Sequence, residues 1–324
     1  MKQLSILILF CTVAAQAQFS LHTERTGNAK RYGEKNLFTA VISNERGNTA
    51  YTVRQELPFD VPYPAAYLNE QTGMLLLAYT FDGFIEAYNS SGKKIWTKIF
   101  FEGIGPNYER TITAAMGNTS IAILTSDVTL PKAKVQVFSI DGRKKWEYEL
   151  PYKMGFEIAM SPDETFIAAG SYYAEEGKTE TSSLLLSNAT EVITATDVLF
   201  RKASFSTANR NVVLMSEREA AIISTAQKSE IARVHRESAK NIFTDVLWKN
   251  DELILQEAQV EFPAEGKFYF KNPAFTKYSS LGNKLTTEQM MNTTYSTSSL
   301  RKTQKAVQVI FDGKEHSIFE EKKN

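Results

Sequence analysis

The sequence has few of the residues that ligate metals or attack carbonyl groups. It contains one cysteine, Cys11, and three histidines, His22, His235 and His316, far apart in the chain. That spacing offers no His-x-x-x-His pair for zinc. Gly-x-Ser-x-Gly, Gly-x-x-x-x-Gly-Lys and Asp-x-Asp-x-Asp are all absent. Their absence removes the nucleophile elbow, the phosphate loop and the calcium loop from consideration. Neither sign of charge is in excess: 37 basic residues face 37 acidic ones. No basic block marks a nucleic-acid partner, and none is expected. The adjacent carboxylates Glu175-Glu176 and Glu320-Glu321 lie in polar segments and read as solvated. No catalytic residue, metal ligand or cofactor site is therefore assigned, and the chain is expected not to be an enzyme.

The longest apolar run is at the start. Lys2 precedes an almost wholly apolar stretch from Leu4 to Ala15, followed by Ala15-Gln16-Ala17. A positive end, a short apolar core and a small-x-small site describe a secretory signal peptide, here residues 1–17. The run is too short to span a bilayer, and no later one reaches 18 residues, so no transmembrane segment is expected. Cys11 falls inside the signal, and bulky Phe10 before it argues against a lipid-attachment site. The expected mature protein is exported and free of disulfides, and depends on its core alone. The periplasm is the expected compartment, with the cell surface or the extracellular space as alternatives. The "AQAQ" junction resembles exported proteins of Bacteroidetes-type bacteria.

What the sequence does contain is a repeat. Phe84–Trp96 and Val135–Trp146 each run as alternating apolar residues, a Ser/Asp/Gly turn, two lysines and a tryptophan four residues after Gly92 or Gly142. Ser-Gly and Asp-Gly favour hairpin turns because glycine tolerates positive φ. Weaker copies begin at Phe38, Leu184, Ala221 and Thr276. The turns centre near 47, 92, 142, 189, 228 and 282, a mean step of 47 residues. Two short strands precede most of these hairpins, as in Phe156–Met160 and Phe166–Gly170. Four-stranded units at this period predict an all-β propeller. Six turns predict six blades; a seventh would require Asp312-Gly313 as a further hairpin turn. The N-terminal hairpin at 38–57 lacks two strands, which 294–300 and 306–311 can supply, so the ring is expected to close through both chain ends. Residues 18–35 read as an N-terminal tail and 36–324 as one propeller domain.

The Gly-x-x-x-Trp endings at Gly92–Trp96 and Gly142–Trp146 resemble the quinoprotein-like (PQQ-like) repeat. The run from Ser161 to Ser171 (SPDETFIAAGS) resembles an inner strand pair of WD-type propellers. The resemblance covers most of residues 36–311. It is specific for the fold and silent on activity. Quinone-dependent dehydrogenases of this superfamily are larger and often use an adjacent cysteine pair and an acidic calcium site, neither of which this chain has. The resemblance implies the non-enzymatic branch, whose members include periplasmic scaffolds that dock on outer-membrane assemblies.

Loops between the second and third strands of a blade share a face with the blade connectors. They differ most from unit to unit here, and 256–275 is the longest. This face concentrates aromatic residues, which favour interface centres. Tyr63, Tyr108, Tyr172, Tyr173, Phe262, Phe268, Tyr269 and Phe270 are the candidate partner-binding residues. The expected function is protein interaction in the bacterial envelope, as a scaffold or accessory subunit of a larger outer-membrane or secretion assembly. The alternative is a propeller-type enzyme or carbohydrate-binding protein with a site at the tunnel mouth.

Overall fold

The computed structural model describes residues 19–27, 30–175, 177–188, 191–264, 267–303 and 306–319. Residues 1–17, expected to be a signal peptide, and Cys11 among them lie outside the described residues. The described residues hold seven antiparallel sheets and no α-helix. The chain divides into two compact units, residues 1–78 with 85–98, and residues 79–84 with 99–324.

The first sheet joins β1 (Phe19–Thr26), β2 (Lys35–Asn44) and β3 (Thr49–Pro58). The second runs in order through β4 (Ala65–Leu68), β5 (Leu75–Tyr79), β6 (Phe84–Tyr88) and β7 (Lys94–Ile99). Four strands in sequence order recur in β8 (Arg110–Met116), β9 (Ser120–Asp127), β10 (Lys134–Ser139) and β11 (Lys144–Glu149). They recur again in β12 (Met154–Met160), β13 (Phe166–Glu175), β14 (Lys178–Ser187) and β15 (Val192–Thr196). The next set is β16 (Lys202–Phe205), β17 (Asn211–Met215), β18 (Glu219–Ser224) and β19 (Ser229–His235). The sixth sheet holds β20 (Asn241–Lys249), β21 (Glu252–Ala264), β22 (Lys267–Tyr278) and β23 (Lys284–Gln289), with β24 (Thr294–Tyr295) added to β22. The last is β25 (Ser298–Lys302), β26 (Val307–Phe311) and β27 (Lys314–Ile318). This order is that of a β-propeller.

The expected turns near 47, 92, 142, 228 and 282 each join the last two strands of a sheet or four-strand set, and the one expected near 189 falls on residues outside those described; at four of them the local chemistry is plain. Asn44, Asn89, Ser139 and Ser279 each accept the amide of the glycine three residues on, at 2.8–3.0 Å. Each also offers its side-chain oxygen to an amide four residues on, at 3.0–3.2 Å. Gly47, Gly92, Gly142 and Gly282 sit at φ +74° to +84°, where a Cβ is strained. The ladder slips by one residue beside most of these turns, for example between Val137 and Phe138, as in a hairpin ending in a glycine bulge. At Gly47 an added Cβ meets nothing, whereas at Gly92 it stands 2.8 Å from the Tyr51 ring. Gly47→Ala is expected to cost about 1 kcal/mol and Gly92→Ala about 2–3 kcal/mol. Urea unfolding of the two variants checks the order.

Three details refine the sequence reading. Asp312-Gly313 does turn β26 into β27, so the described residues hold seven sheets, in keeping with the six to seven blades expected. Among the described residues β1–β3 and β25–β27 pair only within their own three-stranded sheets, not with each other. Finally, residues 19–26, read as part of a tail, form β1, which pairs along all of its length with β2.

In the larger unit the core lies between successive sheets. Ala122, Leu124, Val135 and Val137 pack on Ile158, Ile167, Ala169 and Leu184 of the next sheet, and nearly all are inaccessible to water. Similar layers follow between β12–β15 and β16–β19, then β16–β19 and β20–β23, then β20–β24 and β25–β27. Residues two apart share a face of a strand, so central strands sandwiched by neighbours read as continuous apolar runs such as Ile121–Leu124. Trp146, one of the repeat tryptophans, lies half-buried against the first of these layers and donates its indole N–H to Asn188 at 3.0 Å.

Candidate functional site

The longest expected loop, 256–275, is paired strand over nearly all of its described residues. β21 and β22 carry it outward as a two-stranded arm. Pairing of β20 with β21 ends at Asn241 and Gln259, and β23 leaves β22 at Ala274. Beyond these points Val260, Glu261 and Tyr269 have ladder partners only within the hairpin, and β24 supports Phe270 and Lys271. Apolar and polar residues alternate in Gln259-Val-Glu-Phe262 and in Phe268-Tyr-Phe-Lys271. That alternation has the period of a strand, and it accounts for the arm.

The register gives the arm two unlike faces. Gln259 stands opposite Lys271 and Glu261 opposite Tyr269. Glu261 accepts the Tyr269 hydroxyl at 2.7 Å and pairs with the Lys271 ammonium at 3.2 Å. The hydrogen bond to Glu261 pushes the Tyr269 phenol up, and Tyr269 and Lys271 together hold the Glu261 carboxyl below its ordinary range. On the other face Val260 stands opposite Phe270, and Phe268 meets Phe270 edge-on at 5.6 Å. Phe270 stacks on buried Tyr295 at 5.3 Å, and Tyr295 lies 4.3 Å from Phe311. A row of rings thus runs from the core onto the arm. It ends at Phe268, 54% exposed; Phe262, 76% exposed, is the other large apolar side chain there.

A second feature forms near β8. The side chain of Arg110 is fully buried, with Nε 2.6 Å from Asp127. Nη1 donates to the Phe81 carbonyl, and Nη2 donates to those of Ile104 and Gly105. The guanidinium also lies over the Phe101 ring at 4.6 Å. One side chain therefore anchors the turn at 81 and the connector 99–109 to the third sheet. Asp127 additionally accepts the Thr129 amide and hydroxyl at 2.9 and 2.6 Å. Burial works against its charge, but the Thr129 and Arg110 contacts prevail and hold its carboxyl below the usual range.

Above this clamp lies an open groove of about 460 Å³. Tyr108 and Tyr172 line it, with Glu109, Thr111, Val128, Lys153 and Met154. Tyr108 is 67% exposed and backed by Phe81 at 4.5 Å. Tyr172 is backed edge-on by Phe156 at 6.1 Å. Tyr173 follows it in β13, with the Lys153 ammonium 5.6 Å from its ring.

The structure therefore sorts the eight aromatic residues named from the sequence. It gathers Tyr108 and Tyr172 in the groove, with Tyr173 beside Lys153. Phe262, Phe268, Tyr269 and Phe270 belong to the arm. Tyr63 belongs to the smaller unit, where it is half-buried between Phe38 and Arg25. Sequence reasoning missed Arg110, Asp127, Lys153 and Met154. Each sits at or beside a strand end with no local signature. Among the described residues no three His, Cys, Asp or Glu side chains gather as metal ligands. No helix there is long and apolar enough to cross a membrane.

No family model matches the chain, and no curated protein does. Solved structures do. The propeller of Dos1 matches with a TM-score of 0.60 at 10% identity, over 87% of this chain and 74% of that one. Hydrazine synthase of Kuenenia stuttgartiensis matches with a TM-score of 0.52 at 12% identity, over 78% and 75%. At such identities the likeness is one of fold, and the fold is a β-propeller.

Proposed function

We propose that this chain is a non-catalytic interaction propeller of the quinoprotein-like or WD type. It is exported to the bacterial envelope and docks on a larger envelope protein or assembly. The observation that carries the reading is the arm. A hairpin that outruns its sheet and shows water two phenylalanines, on an aromatic row rooted in the core, costs solvation free energy with no gain to the isolated fold. A protein partner would bury those rings, and aromatic anchors of this kind dominate interface energies. The polar face, tied by Glu261, Tyr269 and Lys271, keeps the arm soluble on its other side. Pro263, which has no N–H to donate, blunts the free edge of β21 against indiscriminate strand pairing.

The test is capture of the full-length tagged chain from the envelope of its own cells. The wild type is expected to retain a larger protein through the wash. The double variant Phe262→Ser/Phe268→Ser is expected to lose it by about a hundredfold or more. Its unfolding free energy should stay within about 0.5 kcal/mol of wild type, as for exposed sites. Recovery of the wild type alone, or equal recovery of the same partner by the variant, would refute the proposal.

A further inference from the structure

We infer that the groove between Tyr108 and Tyr172 is a binding site for an acidic sugar ring, separate from the docking arm. Its volume of about 460 Å³ falls within the usual span of small-ligand sites, roughly 300–1,000 Å³. Three features of the lining select the ligand class.

The first is the pair of tyrosines. Each is braced from behind, Tyr108 by Phe81 and Tyr172 by Phe156. Braced rings hold their orientation, so little side-chain freedom is lost when a ring settles on them. A pyranose presents an apolar C–H face of suitable size to such a platform, with hydroxyls around its edge. The second is the pair of charged side chains, Glu109 and Lys153, the latter with its ammonium 5.6 Å from the Tyr173 ring. Both line the groove, and among the described residues neither has an ion-pair partner there. A carboxylate accepts from sugar hydroxyls, and the Thr111 hydroxyl adds a donor and an acceptor. An ammonium without a carboxylate suits a ligand that brings its own. The third is the clamp beneath. Arg110 spends its hydrogen bonds on Asp127 and three backbone carbonyls. It therefore fixes the connector that carries Tyr108 and acts as a positioning residue. A purely apolar ligand would strand Glu109 and Lys153, and a simple anion would leave the rings unused. A hexuronate uses all of them.

Calorimetric titration of the purified mature chain with α-1,4-tetragalacturonate, and with uncharged maltotetraose, tests this. Tetragalacturonate is expected to bind with a Kd below about 1 mM, and maltotetraose about three- to tenfold more weakly. Tyr172→Ala is expected to weaken both by about tenfold or more. Lys153→Gln should weaken only the acidic oligomer, bringing the two Kd values together. The arm variant Phe262→Ser/Phe268→Ser should bind both sugars as wild type does, so failure of partner docking and failure of sugar binding are distinguishable. The inference is overturned if neither oligomer binds. It is equally overturned if binding survives Tyr172→Ala unchanged, or if Lys153→Gln weakens both oligomers alike. Far-ultraviolet dichroism confirms that each variant is folded.

Discussion

Arg110→Ala is expected to destabilise the larger unit by about 3–5 kcal/mol, the usual result of removing one partner from a buried ion pair. The loss has three sources. Asp127 is left as a buried carboxylate with no cation. The carbonyls of Ile104 and Gly105 lose the guanidinium donor, and that of Phe81 loses one of two, keeping the Asn107 amide. A cavity opens beside Phe101. The effect also has a defined pH course. The native carboxyl of Asp127 lies below its unfolded value. Its contribution is therefore present above about pH 4 and is lost as pH falls through the lower native value. In the variant Asp127 protonates more easily. The deficit between wild type and variant should be largest at neutral pH and shrink on acidification. Urea unfolding at pH 7 and below pH 4 measures both. Limited proteolysis should cut the variant first within residues 99–109. A deficit below about 1 kcal/mol at neutral pH would show that the clamp is not holding the connector.

Tyr295→Ala is expected to cost about 3–5 kcal/mol, the range for deleting a large buried ring. Tyr295 is 1% exposed. It lies between Phe270 of the arm and Phe311 of the last sheet, and its hydroxyl accepts the Gln256 amide at 2.8 Å. Gln256 is itself wholly buried, and its side-chain oxygen Oε1 has no hydrogen-bond partner among the described residues. Truncation therefore opens a cavity and leaves an already stretched amide with one contact fewer, to Ser298. Tyr295→Phe keeps the ring and removes only the hydroxyl that accepts from Gln256, for a loss of about 1–2 kcal/mol. The pair of variants separates packing from hydrogen bonding. It also separates stability from docking: the phenylalanine variant should hold the arm and capture the partner as wild type does. The alanine variant should lose both, since Phe270 has then lost its support. Thermal unfolding with envelope capture reads the two effects side by side.

Much of the architecture was legible because it is written in short-range rules. Asn44, Asn89, Ser139 and Ser279, each three residues before a glycine, specify hairpins by hydrogen bonds within five residues. A four-strand period followed from their spacing. The seventh sheet was harder to read, since Asp312-Gly313 follows Gly282 after only 31 residues. β24 and the three-stranded last sheet shorten that interval. The arm was legible in principle, because Gln259–Phe262 and Phe268–Lys271 alternate. Its prolines and its length made the segment look like a loop.

Local sequence alone thus determined that the chain is an all-β repeat with hairpins at fixed turns, since a turn or a strand depends on neighbours a few residues away. Only the tertiary structure decided which aromatic residues meet. Tyr108 and Tyr172 are 64 residues apart, and their shared groove depends on two sheets packing face to face. Tyr63, of the same composition and in a similar connector, lies in the other unit. The pairing of Arg110 with Asp127 was equally invisible, because one strand start and one strand end carry no mark until the register of β8 on β9 sets them opposite each other. Periodicity fixes which way a side chain faces, and the packing of sheets decides what it faces.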